Sequence, residues 1–379
     1  MRAGTLGVDW SREGGEQLPH RSLKQPAEAG PWAASRPKNS WLSRRVVAAL
    51  FLALGLSLQP DVGQAQRAPD PPTSIDIVAQ RLPAFDHTDF TRRQFGLLEF
   101  RGGLVLTASF KHFGGLSAIR VQPDGANFIA ASDRGWWLKG RIVYDGNRPS
   151  AIADAQMAPI LGPDGLALSS RGWYDTESIA QDGGTLYVGI ERVNRIVRFD
   201  FGKDGVLARG QPIDVPPGVR GLPNNKGLES LVFVPRGLPL GGTLIAISER
   251  GLTRDGNLSA FLIGGPRPGT FALRRTADYD VSDAALLPSG DLLVLERKFS
   301  WTTGLFVRIR RIALLDIQPG ALVDGRVLFE ADLGYAIDNL EGLSVHRGPN
   351  GETVLTLVSD DNFSALQRTL LLQFTLAEP

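Results

Sequence analysis

From residue 95 onward, apolar and polar positions alternate in short runs, with no sustained helical spacing between them. The runs are stopped by turns: Pro123-Asp124-Gly125, Asp182-Gly183-Gly184, Pro239 to Gly242, Pro288-Ser289-Gly290 and Pro349-Asn350-Gly351. Asp, Asn and Gly tolerate the positive φ that tight hairpins need, so each turn joins two strands. Ahead of each turn stands a related phrase: Gly115-Leu116-Ser117, Glu177-Ser178-Ile179, Glu229-Ser230-Leu231, Asp283-Ala284-Ala285 and Glu341-Gly342-Leu343. The phrases start at residues 115, 177, 229, 283 and 341, which makes successive units 62, 52, 54 and 58 residues long. After each turn comes an apolar strand with a charged end: Asp133-Arg134, Glu191-Arg192, Glu249-Arg250, Glu296-Arg297 and Asp360-Asp361. A long period built from short strands predicts an all-β fold, a β-propeller of four-stranded blades.

The outer strands read as Arg195–Phe201 with Val206–Val215, Leu258–Ile263 with Phe271–Tyr279, and Val307–Ile317 with Arg326–Leu333. The last unit ends at Thr369–Leu376 and lacks its outermost strand. The alternating segment Phe95–Ser109 precedes the first unit and is free to supply it, closing the ring and removing the exposed sheet edges. Five units are countable, and a repeat that has lost its opener leaves room for a sixth blade.

The region ahead of the propeller has a different character. Residues 1–42 show no period and read as a disordered extension or as sequence upstream of the true translation start. Residues 43–65 read as a signal peptide: Ser43-Arg44-Arg45, an apolar run from Val46 to Leu58, and small residues at Gly63-Gln64-Ala65 for cleavage after Ala65. The apolar run is too short for a stable membrane span, which takes about 20 residues. Ser-Arg-Arg also resembles a twin-arginine signal, so a Sec or twin-arginine route to the periplasm or medium is expected. Residues 66–94, with Pro69, Pro71 and Pro72, read as a linker, and 95–379 as the propeller domain.

The leader holds eight of the 41 Lys/Arg and five of the 40 Asp/Glu, which leaves 33 and 35 and a formal charge of −2. Without a basic excess, nucleic acid is not an expected partner. The absence of cysteine excludes a disulfide framework, a thiolate nucleophile and a Cys-ligated zinc. A monomer acting on a small-molecule ester is expected.

The repeat gives the acidic residues a geometry. The first strand of a propeller blade lines the central channel, so equivalent residues form rings. Glu177, Glu229, Asp283 and Glu341 read as one ring, with Ser117 near the fifth position. Asp133, Glu191, Glu249, Glu296, Asp360 and Asp361 read as a second set. Carboxylates converging on one axis repel unless a cation neutralises them, through the neighbouring arginines or through a hard metal such as Ca²⁺. Repeated Glu-Arg pairs are first of all scaffold that ties blade to blade. Acidic residues at two levels of every blade nevertheless point to a site.

Three expectations follow for that site. Glu177, Glu229, Asp283, Glu341, Asp360 and Asp361 are the candidate Ca²⁺ ligands, with Glu229 or Glu341 as general base. Arg250, Arg297, Lys298 and Asn225 are candidates for holding a phosphorylated substrate. Other chemistries have little support. There is no Gly-x-Ser-x-Gly elbow or Gly-x-x-x-x-Gly-Lys loop, and His87, His112 and His346 do not share metal-ligand spacing.

Phe113-Gly114-Gly115-Leu116-Ser117, Ser132-Asp133-Arg134-Gly135, Asp175-Thr176-Glu177-Ser178, Asn225-Lys226-Gly227-Leu228-Glu229-Ser230-Leu231 and Asp280-Val281-Ser282-Asp283 resemble the phytase-like, or "esterase-like activity of phytase", family of exported bacterial proteins. Leu295-Glu296-Arg297-Lys298-Phe299, Asn339-Leu340-Glu341-Gly342-Leu343 and Ser359-Asp360-Asp361-Asn362 continue the resemblance over about residues 95–377. It implies a β-propeller that hydrolyses phosphate or carboxylic esters. Calcium-dependent propeller phytases share the acidic, channel-centred design, and calcium-dependent propeller lactonases are similar at the level of fold. The expected function is therefore metal-assisted ester hydrolysis at the acidic channel. The alternatives are a non-catalytic propeller that binds a ligand or envelope partner, and a lactonase-like hydrolase.

Overall fold

The computed structural model describes residues 69–377. The extension, the signal peptide and the cleavage site lie outside them. The described chain forms five sheets, one for each repeat, arranged as a five-bladed β-propeller. The innermost strands of blades one to five are Leu116–Val121, Thr176–Asp182, Leu228–Phe233, Asp280–Leu286 and Leu340–Arg347. The second strands are Asn127–Ser132, Thr185–Ile190, Thr243–Leu252, Leu292–Ser300 and Thr353–Ser359. Inner and second strands pair antiparallel in every blade. The room left for a sixth blade is not used among the described residues, because these five sheets take up every repeat.

Both faces of a blade are covered by its neighbours, so the strands lose the one-sided alternation of a surface sheet. Every residue of Thr353–Ser359 is buried. The seams are filled by separate apolar clusters. Ala118, Ile129, Trp137, Ile179, Val188 and Phe199 meet between blades one and two. Leu293, Ile309, Phe329, Leu343, Leu355 and Phe374 meet between blades four and five. At about 1.5–3 kcal/mol for each large apolar side chain fully buried, the seams rather than any single blade hold the ring together.

Leu98–Ala108 closes the ring as expected, pairing along Thr369–Leu376 from Thr369↔Leu106 to Leu376↔Leu98. The linker reading of 66–94 is corrected. Ile77–Arg81 adds a further strand outside Leu98–Ala108, and Thr73–Ser74 pairs with the outer strand of blade one. Ile75, Ile77 and Ala79 turn alternate side chains into the seam between blades five and one, a period-two signal that the preceding prolines obscured. Phe85 is 1% exposed and packs on Phe95, Phe100 and Phe374.

Blade two departs in the other direction. Its expected outer strand over Val206–Val215 shrinks to Gln211–Pro212 behind two short helical turns. Pro212, Pro216 and Pro217 have no N–H to give to a ladder. No helix among the described residues is long and apolar enough to cross a membrane.

Candidate active site

The site is built by one irregularity repeated five times. Near the start of every inner strand the register slips by one residue. Leu116 and Ala118 pair with Ser132 and Ala131, and Thr176 and Ser178 with Ile190 and Gly189. Leu228 and Ser230 pair with Ser248 and Ile247, Val281 and Asp283 with Glu296 and Leu295, and Leu340 and Gly342 with Ser359 and Val358. The extra residue is therefore Ser117, Glu177, Glu229, Ser282 or Glu341. A bulge leaves its residue unpaired and re-aims the side chain. The residue that follows the partner of the pre-bulge residue forms the second level: Asp133, Glu191, Glu249, Arg297 and Asp360. The amides of Asp133, Glu191, Glu249 and Asp360 each bond the carbonyl two residues before their blade's bulge, which confirms the equivalence.

Seven carboxylates thus share one mouth with few cations. Glu191, Glu229 and Glu249 are buried and bring carboxylate oxygens within 4.8 Å of one another. Arg297 Nη2 lies 3.0 Å from Glu341 Oε1 but 3.7 Å from both Glu229 and Glu249, outside hydrogen-bond distance. Lys226 reaches Glu249 Oε2 at 3.3 Å, and the Gly227 amide donates to Glu191 Oε1 at 2.7 Å. Among the described residues, no ion pair reaches Asp133, Glu177, Glu191 or Asp360.

The electrostatics follow from this shortage. Burial first, then Glu249 and Glu177, hold the Glu229 carboxyl well above the usual range, with Arg297 opposing. Burial, then Glu341 and Glu191, do the same to Glu177. Burial pushes Glu191 up to about 7, against the Gly227 hydrogen bond. It pushes Asp133 up to about 6 and, with help from Glu341, Asp360 up to about 8. Burial raises Glu341 too, against Arg297 and the 2.8 Å hydrogen bond from Asn339 Nδ2.

Below this mouth the channel is filled. Arg120, on the inner strand of blade one, donates to Asp283 Oδ2 at 2.9 Å and Oδ1 at 3.2 Å. It also donates to the carbonyls of Ile119, Leu231, Leu343 and Ala284, from four of the five blades. The Leu343 and Ala284 amides complete the shell of Asp283. The acidic cup therefore opens on one face only.

Several expected site residues lie elsewhere. Asp283 belongs to the plug and not to the ring of Glu177, Glu229 and Glu341, because Ser282 takes the bulge. Glu296 points away from the axis to Arg308 at 2.6 Å and Arg310 at 2.5 Å, because strand neighbours face opposite ways. For the same reason Lys298 turns outward and sits 4.6 Å from the ring centroids of both Tyr279 and Phe306. Asp361 commits Oδ1 to the Gly115 and Phe363 amides and Oδ2 to the Thr369 hydroxyl, as a latch between blades five and one. A Cβ on Gly114 would meet Asp361 Oδ1 at 2.7 Å and one on Gly115 would meet Asp133 Oδ1 at 2.2 Å, so this approach needs the glycine pair.

Arg250 ties blade three to Asp280 of blade four, with Nε 2.8 Å from Oδ2. Asn225 is exposed beside Lys226. Of the expected residues, Glu177, Glu229, Glu341, Asp360 and Arg297 do meet at the mouth. Asn339, which bonds both Arg297 and Glu341, was not singled out as a site residue. Its signal was its place two residues before the Glu341 bulge.

The family described as phytase-like, "esterase-like activity of phytase", matches residues 111–363, more than half of the chain, and the chain belongs to that family. No curated protein matches it. Among solved structures, a Bacteroides caccae protein of unknown function is 14% identical, over 64% of this chain and 71% of that chain, with a TM-score of 0.30. A chain from the S. cerevisiae assembly of Dbp5 bound to Nup159, Gle1, IP6 and ADP is 11% identical, over 76% of this chain and 96% of that one, with a TM-score of 0.37. The β-propeller domain of Cps50 (Swd1) from Myceliophteria thermophila is 12% identical, over 66% and 67%, with a TM-score of 0.31.

Proposed function

From membership of the phytase-like family, we propose that the one-sided acidic cup is the active site of a cation-assisted ester hydrolase. The observation that carries this reading is the charge imbalance. A scaffold of blade-to-blade latches would pair each carboxylate, as Asp283, Glu296 and Asp280 are paired, whereas seven carboxylates at the mouth share Arg297 and Lys226. The donor set suits a hard divalent cation such as Ca²⁺, because it offers only oxygens and leaves Glu229 with no hydrogen bond among the described residues. Glu191, Glu229 and Glu249 would hold the ion, so that of the six expected ligands Glu229 alone is kept in the triad. A bound cation polarises an ester oxygen and acidifies water.

The protein's own groups divide into two sides. Glu341 is fixed by Arg297 and Asn339, and Glu229 belongs to the cation triad, so neither expected base is free to take a proton. Asp133 and Asp360 stand on neighbouring blades, away from the triad. Burial raises both carboxyls, and Asp360, whose ionisation Glu341 also opposes, is raised further than Asp133. That separation suits a base and an acid working as a pair.

The test is calorimetric titration of the purified protein with calcium, together with a panel of phosphate and carboxylic esters. Calcium binding that Glu229→Gln with Glu249→Gln abolishes is expected, as is turnover that Asp133→Asn lowers by about 10²–10⁴. Binding without turnover on any ester would leave a calcium-binding, non-catalytic propeller. Neither binding nor turnover would end the hydrolase reading. Export to the periplasm or medium belongs to the same reading, and a mature N-terminus after Ala65 in the secreted fraction would support it.

A further inference from the structure

We propose that Phe299 and Trp301 form an aromatic platform at the mouth of the cup that receives the aromatic arm of the ester substrate; this rests on the hydrolase reading. Trp301 is 94% exposed and Phe299 61%, although large aromatic side chains are seldom left so open to water. Their rings meet edge to face, 5.1 Å apart at 80°.

Their position follows from the strand. The pairing of Leu292–Ser300 with Gly304–Ile312 stays in register through Arg297↔Val307, Phe299↔Leu305 and Ser300↔Gly304. Alternate residues share a face, so Phe299 stands on the same side as Arg297, about 7 Å further toward solvent. Arg297 is the member of the second ring that contacts Glu341, Glu229 and Glu249. The contact with Phe299 then fixes the Trp301 ring on that side, at the tip of a hairpin that rises from the cup.

The chemistry of the arm follows from what surrounds the platform. Lys298, the one cation between the two strand positions, faces away into Tyr279 and Phe306. The groups below are carboxylates in excess, which repel a second anionic group on the substrate. Arg297, the cation on the platform's own side, is taken up by Glu341, Glu229 and Glu249 below it, so two exposed rings without a free cation select a flat, uncharged, apolar group. The substrate is thus an aryl ester rather than a polyol carrying many phosphates.

The experiment compares naphthyl acetate, naphthyl phosphate and ethyl acetate as substrates of the full protein with calcium, in wild type, Trp301→Ala and Trp301→Phe. The expected result is a fall of about tenfold in the kcat/KM ratio of naphthyl to ethyl ester in Trp301→Ala. The fall should lie in KM, and Trp301→Phe should restore most of it. The two naphthyl substrates show whether the arm is carried by a carboxylic or a phosphate ester. An unchanged ratio overturns the platform. If no ester is turned over, the hydrolase reading fails by itself, and calorimetry with naphthol then decides. Affinity about tenfold weaker in Trp301→Ala supports the platform, and equal affinity overturns it.

Discussion

Two levels of one axis use buried acids in opposite ways. At mid-channel, Asp283 has no exposed surface and meets a bidentate Arg120 and two backbone amides. At the mouth, Glu177, Glu191, Asp133 and Asp360 have no cation partner among the described residues, and Arg297 is shared among three further carboxylates. Burial alone therefore does not separate scaffold from site. The balance of charge does. A buried carboxylate with its partner in place has nothing left to offer a ligand, while a cluster short of cations gains from any cation that enters it.

The largest test of this contrast strikes the plug. Arg120→Met removes the guanidinium and strands Asp283 in the core, so a loss of about 3–5 kcal/mol is expected. Calcium should not restore it, because the orphaned charge lies below the cup. Chemical denaturation with and without calcium checks both points. A loss below about 1 kcal/mol, or full recovery with calcium, would merge the two levels into one site.

The next effect belongs to the mouth. Calcium at 100 times its dissociation constant should stabilise the wild type by about 2.7 kcal/mol. Glu229→Gln with Glu249→Gln should erase that gain while keeping the shape. Thermal melts in EDTA and in calcium measure it, and a wild-type melt that ignores calcium would remove the cation from the mechanism.

The contrast was only partly legible in the sequence. Turn signals and the long period were enough to find five repeats, though not to exclude a sixth blade, and to place a closing strand within Phe95–Ser109, because both depend on local chemistry. Blade four was not legible in the same way. Asp283 and Glu296 match the acidic phrase of the other repeats by residue type, yet the bulge falls on Ser282 and Arg297 occupies the ring. A shift of one residue turns a side chain to the other face of a strand, and the shift is set by cross-strand pairing that no single segment reveals. Asp361 was similarly grouped with Asp360, although neighbours in the chain serve a latch and a site.

A pH series sharpens the comparison further. In the fold, Asp133, Glu191 and Asp360 hold their protons up to about 6, 7 and 8, above the values near 4 of an unfolded chain. The folded state then binds more protons than the unfolded one between these limits. The stability these groups contribute is complete below about pH 4 and is lost as pH rises through 6 to 8 in calcium-free protein. Calcium requires an ionised triad, and Glu191 within it is pushed up to about 7, so the stabilising effect of calcium should grow as pH rises through that value. Melts at about pH 5 and pH 8, each with EDTA and with calcium, read both trends. A calcium effect larger at the acidic end would contradict the assignment.

The smallest expected change tests whether Lys226 belongs to the scaffold or to the site. Its side chain is 39% exposed and 3.3 Å from Glu249, an arrangement that adds at most about 1 kcal/mol to stability. Lys226→Met should therefore barely move the calcium-free melting temperature. The ammonium nevertheless occupies the place where a cation would be drawn, so its removal leaves the triad more negative and should tighten calcium binding by roughly fivefold, the equivalent of about 1 kcal/mol. Arg250→Met is the matched control, since Arg250 contacts Asp280 and not the triad. Titration calorimetry on both variants separates the cases. Tighter binding in Lys226→Met alone places Lys226 at the site, whereas an equal response in the two variants reduces its role to the general field of the rim.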